Sequence, residues 1–83
     1  MDNKEAIMVV LGKRLRIVRN AKRISQEKLA EYAQTDKNYI SEVERGLKQP
    51  TIEKLYTITQ ALDINIEDLF KGIEEEIQSD FNI

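Results

Sequence analysis

The chain has 83 residues, no Cys and no His, a length that suits one small domain whose core must be well packed or shared with a second subunit. The missing residue types rule out disulfides, zinc ligation and the usual nucleophile–base pairs, so neither catalysis nor a metal or other cofactor is expected. The net charge of −2 hides an uneven distribution: residues 1–49 hold eleven Lys/Arg against seven Asp/Glu, and residues 50–83 hold two against eight. A basic front and an acidic back suit a protein that turns one face to a polyanion, although a mixed, solvated surface accounts for the same numbers. The apolar run from Ile7 to Leu11 is too short for a signal peptide or a membrane span. A cytoplasmic protein with no membrane partner is expected.

In chain order, Met1–Asn3 reads as a frayed end and a first helix runs from about Lys4 to Lys22. Its buried stripe is Leu11, Leu15 and Val18, extended by Met8 or Ile7. Its other faces carry Lys13, Arg14, Arg16, Arg19, Lys22 and, just beyond, Arg23. These basic residues form a phosphate-facing flank, or complement the dipole at the helix end, or both. Ile24 tucks in before Ser25, whose hydroxyl caps a second helix with Leu29, Ala30 and Ala33 on its inner face. Gln34 and Thr35 break that pattern. Asp36 then caps a third helix from Lys37, which buries Ile40 and Val43 and leaves Lys37, Asn38, Ser41, Glu42 and Arg45 outside. Helix, short turn, helix with a polar outer face is the outline of a helix-turn-helix, whose second helix enters the DNA major groove.

The third helix ends at Gly46, a residue suited to a left-handed position because it lacks Cβ. A loop through Pro50 leads to Thr51, the cap of a fourth helix, Ile52–Ala61, with Leu55, Ile58 and Leu62 inward. Asn65 caps a short fifth helix with Leu69 and Phe70 inside and Asp68 near its positive end. Beyond Gly72, Ile73, Ile77 and Phe81 recur four apart, while Glu74-Glu75-Glu76 makes a solvated acidic face. Such a stripe either meets a partner or folds back on its own domain.

The run SQEKLAEYAQTDKNYISEVERGLKQPTIEKLYTITQALDINIEDLF resembles the Cro/CI-type helix-turn-helix family, which includes phage repressors. The resemblance covers Leu11 to Phe70 and rests on several features at fixed spacing. These are Gly12 and Arg19, Ser25-Gln26, Leu29-Ala30, Ile40-Ser41, Glu44-Arg45-Gly46, Pro50, and Leu62 through Leu69-Phe70. Gln34 departs from it, standing at a turn position where the family often has Gly. The length and the segment Asp36-Lys37-Asn38-Tyr39-Ile40-Ser41 look like the controller proteins of restriction–modification systems.

The resemblance implies an all-α fold, a compact five-helix, lambda-repressor-like DNA-binding domain. It forms a single unit over 1–83, with a core of about 5–71 and an acidic extension at 72–83. It also implies a homodimer on a palindromic operator, autoregulation, RNA polymerase as a further partner, and no small-molecule ligand. The place of action would be a bacterial or phage nucleoid. Two other readings share the DNA site: an antitoxin whose tail neutralises a toxin, and a repressor of a phage or mobile element.

Lys37 and Asn38 match positions that reach base edges, lysine suiting guanine and asparagine adenine. Glu42 either accepts from cytosine, repels wrong sequences, or stands by in solvent. Ser41 and Tyr39 approach phosphate or a thymine methyl, unless Tyr39 packs on the first helix. Gln26, with the free N–H groups of its helix end, and then Lys48 and Gln49 are phosphate contacts. Arg14, Arg23 and Lys22 are weaker candidates for the same role. Arg19 and Glu44 are expected as a structural ion pair tying the first helix to the third. Ile64, Ile66, Phe70, Ile73 and Ile77 are the expected dimer surface.

Overall fold

The computed structural model describes residues 2–81. Its elements are α1 (Asn3–Ala21), α2 (Gln26–Tyr32), α3 (Lys37–Glu44), α4 (Ile52–Ala61), α5 (Ile66–Phe70) and α6 (Ile73–Phe81), with no strand among the described residues. Four of the starts are fixed by short polar side chains that take up an orphan N–H of the first turn. Asp2 Oδ1 accepts from the Glu5 N–H at 2.8 Å, Ser25 Oγ from Lys28 at 3.0 Å, Asp36 Oδ1 from Tyr39 at 2.8 Å and Thr51 Oγ1 from Lys54 at 3.0 Å. Asp2 therefore anchors the end expected to fray, and Asn3 is already helical; Met1 lies outside the described residues. Asn65 stands at the start of α5 but its side chain makes no cap bond. There the Asp68 N–H bonds the Asn65 carbonyl at 3.0 Å instead.

The core is built from Leu11 and Leu15 of α1, Leu29 and Ala30 of α2, and Ala33 behind them. Ile40 and Val43 of α3, Leu55 and Ile58 of α4, Leu62 and Leu69 complete it. The α1 stripe is wider than expected and shifted towards the N-terminus. Ala6 and Val10 are fully buried, whereas Ile7 is 42% exposed and Val18 only partly covered. The reason is that α1 packs against α3 on one side and against α5 and α6 on another, so more than one stripe is covered.

Helix ends follow local backbone chemistry. Gly46 (φ 74°) closes α3, with the Leu47 N–H reaching the Glu42 carbonyl at 2.9 Å. In the turn between α2 and α3, Gln34 takes φ 57°, and the Thr35 N–H bonds the Ala30 carbonyl at 2.9 Å. A side chain is thus accommodated where glycine would have been easier. The chain beyond α5 is helical: Gly72 (φ 68°) redirects it and α6 folds back across α1.

Candidate nucleic-acid interface

Three helices meet at Glu44. Its Oε2 accepts from Arg19 Nε at 2.6 Å, and its Oε1 accepts from Arg19 Nη2 at 3.1 Å and from Gln26 Nε2 at 3.0 Å. Arg19 Nη1 donates to the Ile24 carbonyl at 2.8 Å. The Arg19 and Glu44 side chains are 11% and 3% exposed, and among the described residues every buried side-chain polar atom has a partner. A buried pair satisfied on all sides defines geometry more than it adds net stability. Backbone contact completes the joint: a Cβ on Gly12 would lie 2.3 Å from the Val43 carbonyl oxygen and 2.7 Å from that of Glu44. The last turn of α3 is therefore held from α1 and α2 together.

What projects is the other end of α3. Lys37 and Asn38 are exposed on its first turn, and Ser41 and Glu42 follow as half-buried residues. Asp36 orders that turn through the Tyr39 N–H. Tyr39 is partly buried against the core edge, and burial pushes its phenol up, so at neutral pH it remains an O–H donor. Lys48 and Gln49 are exposed in the α3–α4 loop. Gln26, half-buried, gives one of its two amide N–H groups to Glu44 and keeps the other. Arg23 is exposed at the end of α1, in a left-handed conformation with φ 58°.

Arg14 is a correction. Its Nε meets Glu76 Oε1 at 2.7 Å, and its Nη1 donates to the carbonyls of Leu69 at 2.8 Å and Lys71 at 2.7 Å. It closes the end of α5 and grips α6 rather than facing a phosphate. Nor is the acidic run wholly solvated, because Glu76 lies on α1, with Lys13 Nζ at 2.8 Å and Asp80 2.6 Å from the same ammonium. The Asp80 hydrogen bond, followed by Glu76, raises the Lys13 pKa above its ordinary 10.5; Lys13 and then Arg14 hold the Glu76 carboxyl below 4.5.

The five expected dimer residues border two open concavities along α5 and α6. Ile64 and Ile66 border a concavity of about 490 Å³ with Tyr56 and Gln60. Phe70, Ile73 and Ile77 line a separate open cleft of about 430 Å³ against Ile7. Two residues near the α3–α4 loop escaped sequence reasoning: Lys54, which lies over Tyr39, and Leu47, exposed although apolar. Proximity of Lys54 to Tyr39 depends on where the α3–α4 loop sets the first turn of α4, and carries no local sequence signal.

The helix-turn-helix family profile matches residues 15–69. The chain belongs to the helix-turn-helix family. Control protein C.SmaI of Serratia marcescens is 33% identical over 78 residues, 92% of this chain and 88% of that one. The crystal structure of the restriction-modification controller protein C.AhdI from Aeromonas hydrophila superposes with a TM-score of 0.80 at 38% identity, covering 83% of this chain and 100% of that one. An uncharacterised helix-turn-helix transcriptional regulator of Rickettsia conorii is 32% identical over 65 residues, 78% of this chain; the match spans only 52% of the regulator. The chain likewise spans about half the length of two further regulators. The family is one of regulators rather than catalysts. Among the described residues no helix is long and apolar enough to cross a membrane, and no three acidic side chains gather as a metal site.

Proposed function

We propose that the protein is a cytoplasmic, DNA-binding transcriptional regulator that acts as a homodimer on a palindromic operator. The observation that carries this reading is the pairing of a fixed joint with a free end. Glu44, Arg19 and Gly12 hold the last turn of α3, while Lys37 and Asn38 stand exposed on its first turn. A rigid helix that offers donors and an acceptor at its free end is what base-edge reading needs. In this reading Gln26, Lys48 and Gln49 hold backbone phosphates and fix register, while Ser41 and Glu42 flank the bases. Arg23 contributes at most a peripheral phosphate contact. Two copies would place their α3 helices about one DNA turn, roughly 34 Å, apart. Ile64, Ile66, Phe70, Ile73 and Ile77 would supply the dimer contact.

The likeness to C.SmaI and C.AhdI supports a narrower reading, control of restriction–modification genes with autoregulation and RNA polymerase as a further partner. The test is a salt titration of binding to the DNA upstream of the protein's own gene, against random DNA of equal length. Tight, strongly preferred upstream binding that weakens steeply with salt is expected. Equal, weak binding to both would defeat the regulator reading. Lys37→Ala should weaken upstream binding by about 1–3 kcal/mol and leave melting nearly unchanged.

A further inference from the structure

Arg14 joins three parts of the fold through one guanidinium. Its Nε meets Glu76 of α6 at 2.7 Å, and its Nη1 donates to the carbonyls of Leu69 at 2.8 Å and Lys71 at 2.7 Å, at the end of α5. The same side chain borders a concavity with Ile17, Val18 and Ile64. It thus touches both segments that carry the residues expected at the dimer contact, residues 64–70 and α6. Between α5 and α6 stand only Lys71 and Gly72, and Gly72 turns the chain at φ 68°. Ile73 and Ile77 lie outside the main core, and α6 has no fully buried residue. Among the described residues the ion pairs of α6 all run to α1, from Glu76 and Asp80 to Lys13 and Arg14. A partner that touches both concavities at once meets them in one fixed arrangement only while these pairs hold. Charge favours a second copy as that partner. Glu67, Asp68, Phe70 and Lys71 border a further concavity on α5, and an antiparallel two-fold contact there sets Lys71 of one copy beside Glu67 of the other.

We propose that Arg14 is a positioning residue for the dimer: it fixes α5 and α6 relative to each other, and salt loosens the dimer by screening the hold on Glu76. The proposal rests on the homodimer reading above and adds a control to it. Apolar contact is not screened by salt, whereas partly exposed ion pairs are. A dimer joined through isoleucines and a phenylalanine, but held in shape by such pairs, therefore weakens as salt rises. Where only a fraction of each copy has α6 in place, apparent affinity falls by that fraction, once for each of the two copies.

The test is sedimentation equilibrium of the intact chain and its variants, without DNA, from roughly 0.1 to 1 M sodium chloride. The dimer of the unaltered chain should weaken about tenfold across that range, as it does when α6 is in place in about one copy in three. Glu76→Gln should reach about the same loss at the lowest salt and respond little to more, a combination that general destabilisation does not give. Arg14→Gln should weaken the dimer further, because the carbonyls of Leu69 and Lys71 lose their donor as well. Arg14→Lys, which keeps the charge, should recover part of the loss and of the salt response. Hydrogen exchange of the α3 amides shows whether each variant is folded; if Arg14→Gln is not, Glu76→Gln decides alone. A dimer indifferent to salt would overturn the proposal. So would a salt-sensitive dimer that Glu76→Gln leaves unchanged, since the salt would then act on other charges. If the unaltered chain stays monomeric at every salt concentration, the homodimer reading itself falls. That failure shows without any variant and is distinct from the other two.

Discussion

Helix α1 is attached to the rest of the molecule by charge on two sides, and the two attachments are of opposite kinds. Towards α3 the contact is buried: Arg19 and Glu44 are paired and almost without exposure, and Gly12 lets the two backbones touch. Towards α6 the contact is open. Lys13 Nζ and Glu76 Oε2 are 2.8 Å apart, Lys13 and Asp80 2.6 Å, yet these side chains remain between a quarter and two-fifths exposed, and α6 has no fully buried residue. Bond lengths are alike on the two sides; surroundings are not. Away from water a charge without its partner is strongly penalised, whereas at the surface water and salt replace the partner at little cost. The helix that carries the exposed Lys37 and Asn38 is thus held by the joint that cannot adjust, and the C-terminal helix by one that can.

The sharpest way to break the comparison is at Gly12. Even the first atom of a side chain there would sit 2.3 Å from a backbone oxygen of α3, and backbone cannot swing aside as a lysine tip can. Gly12→Val should lose more than about 4 kcal/mol, in the rare class of severe single substitutions. Chemical denaturation measures it, and a variant as stable as the parent would mean that α1 and α3 are not in backbone contact. Next comes Glu44→Ala, which leaves Arg19 buried without its carboxylate. A loss on the order of 3 kcal/mol is expected, insensitive to salt. Replacing both partners by apolar residues, Arg19→Met with Glu44→Leu, should recover much of that loss, since no unpaired charge then remains. A double variant worse than Glu44→Ala would show that the pair contributes net stability, contrary to this account. Loss of DNA binding in any of these variants would say nothing about direct contact.

Legibility in the sequence follows the same division. Local chemistry predicted the cap residues Ser25, Asp36 and Thr51, the bounds of α4, and the buried positions Leu29, Ile40, Val43, Leu55, Ile58 and Leu62, because caps and helical periodicity act within one or two turns. Family resemblance supplied the expectation of an Arg19–Glu44 joint. What stayed hidden depends on residues far apart in the chain. Arg14 looks like any basic residue on an outer face until Glu76, sixty-two positions later, is folded onto it. Gly12 enters the sequence reading only as one of the residues that carry the resemblance, with no sign that two carbonyls lie where its Cβ would be. Lys54 is a solvated lysine on a helix until the loop brings the first turn of α4 beside Tyr39.

The smallest effect is expected at the open joint, and its dependence on conditions matters more than its size. Glu76→Gln should lower the melting temperature less than Glu44→Ala does, and speed hydrogen exchange of the α6 amides while leaving α3 protected. In 1 M salt, where charges are screened beyond about 3 Å, the melting difference from the parent should largely close. The pH dependence follows from the direction of each shift. Glu76 has its folded pKa below the ordinary 4.5, so its contribution is complete above that value and is lost as pH falls through the lowered one. Lys13 has its folded pKa above 10.5, so its contribution is complete below that value and is lost as pH rises through the raised one. Attachment of α6 should therefore hold from about pH 4.5 to 10.5 and loosen at both ends, while α3 protection has no such window from these groups. If α6 exchange proves indifferent to salt and acid, packing of Ile73 and Ile77 rather than charge holds it. The two sides of α1 would then differ in burial but not in kind.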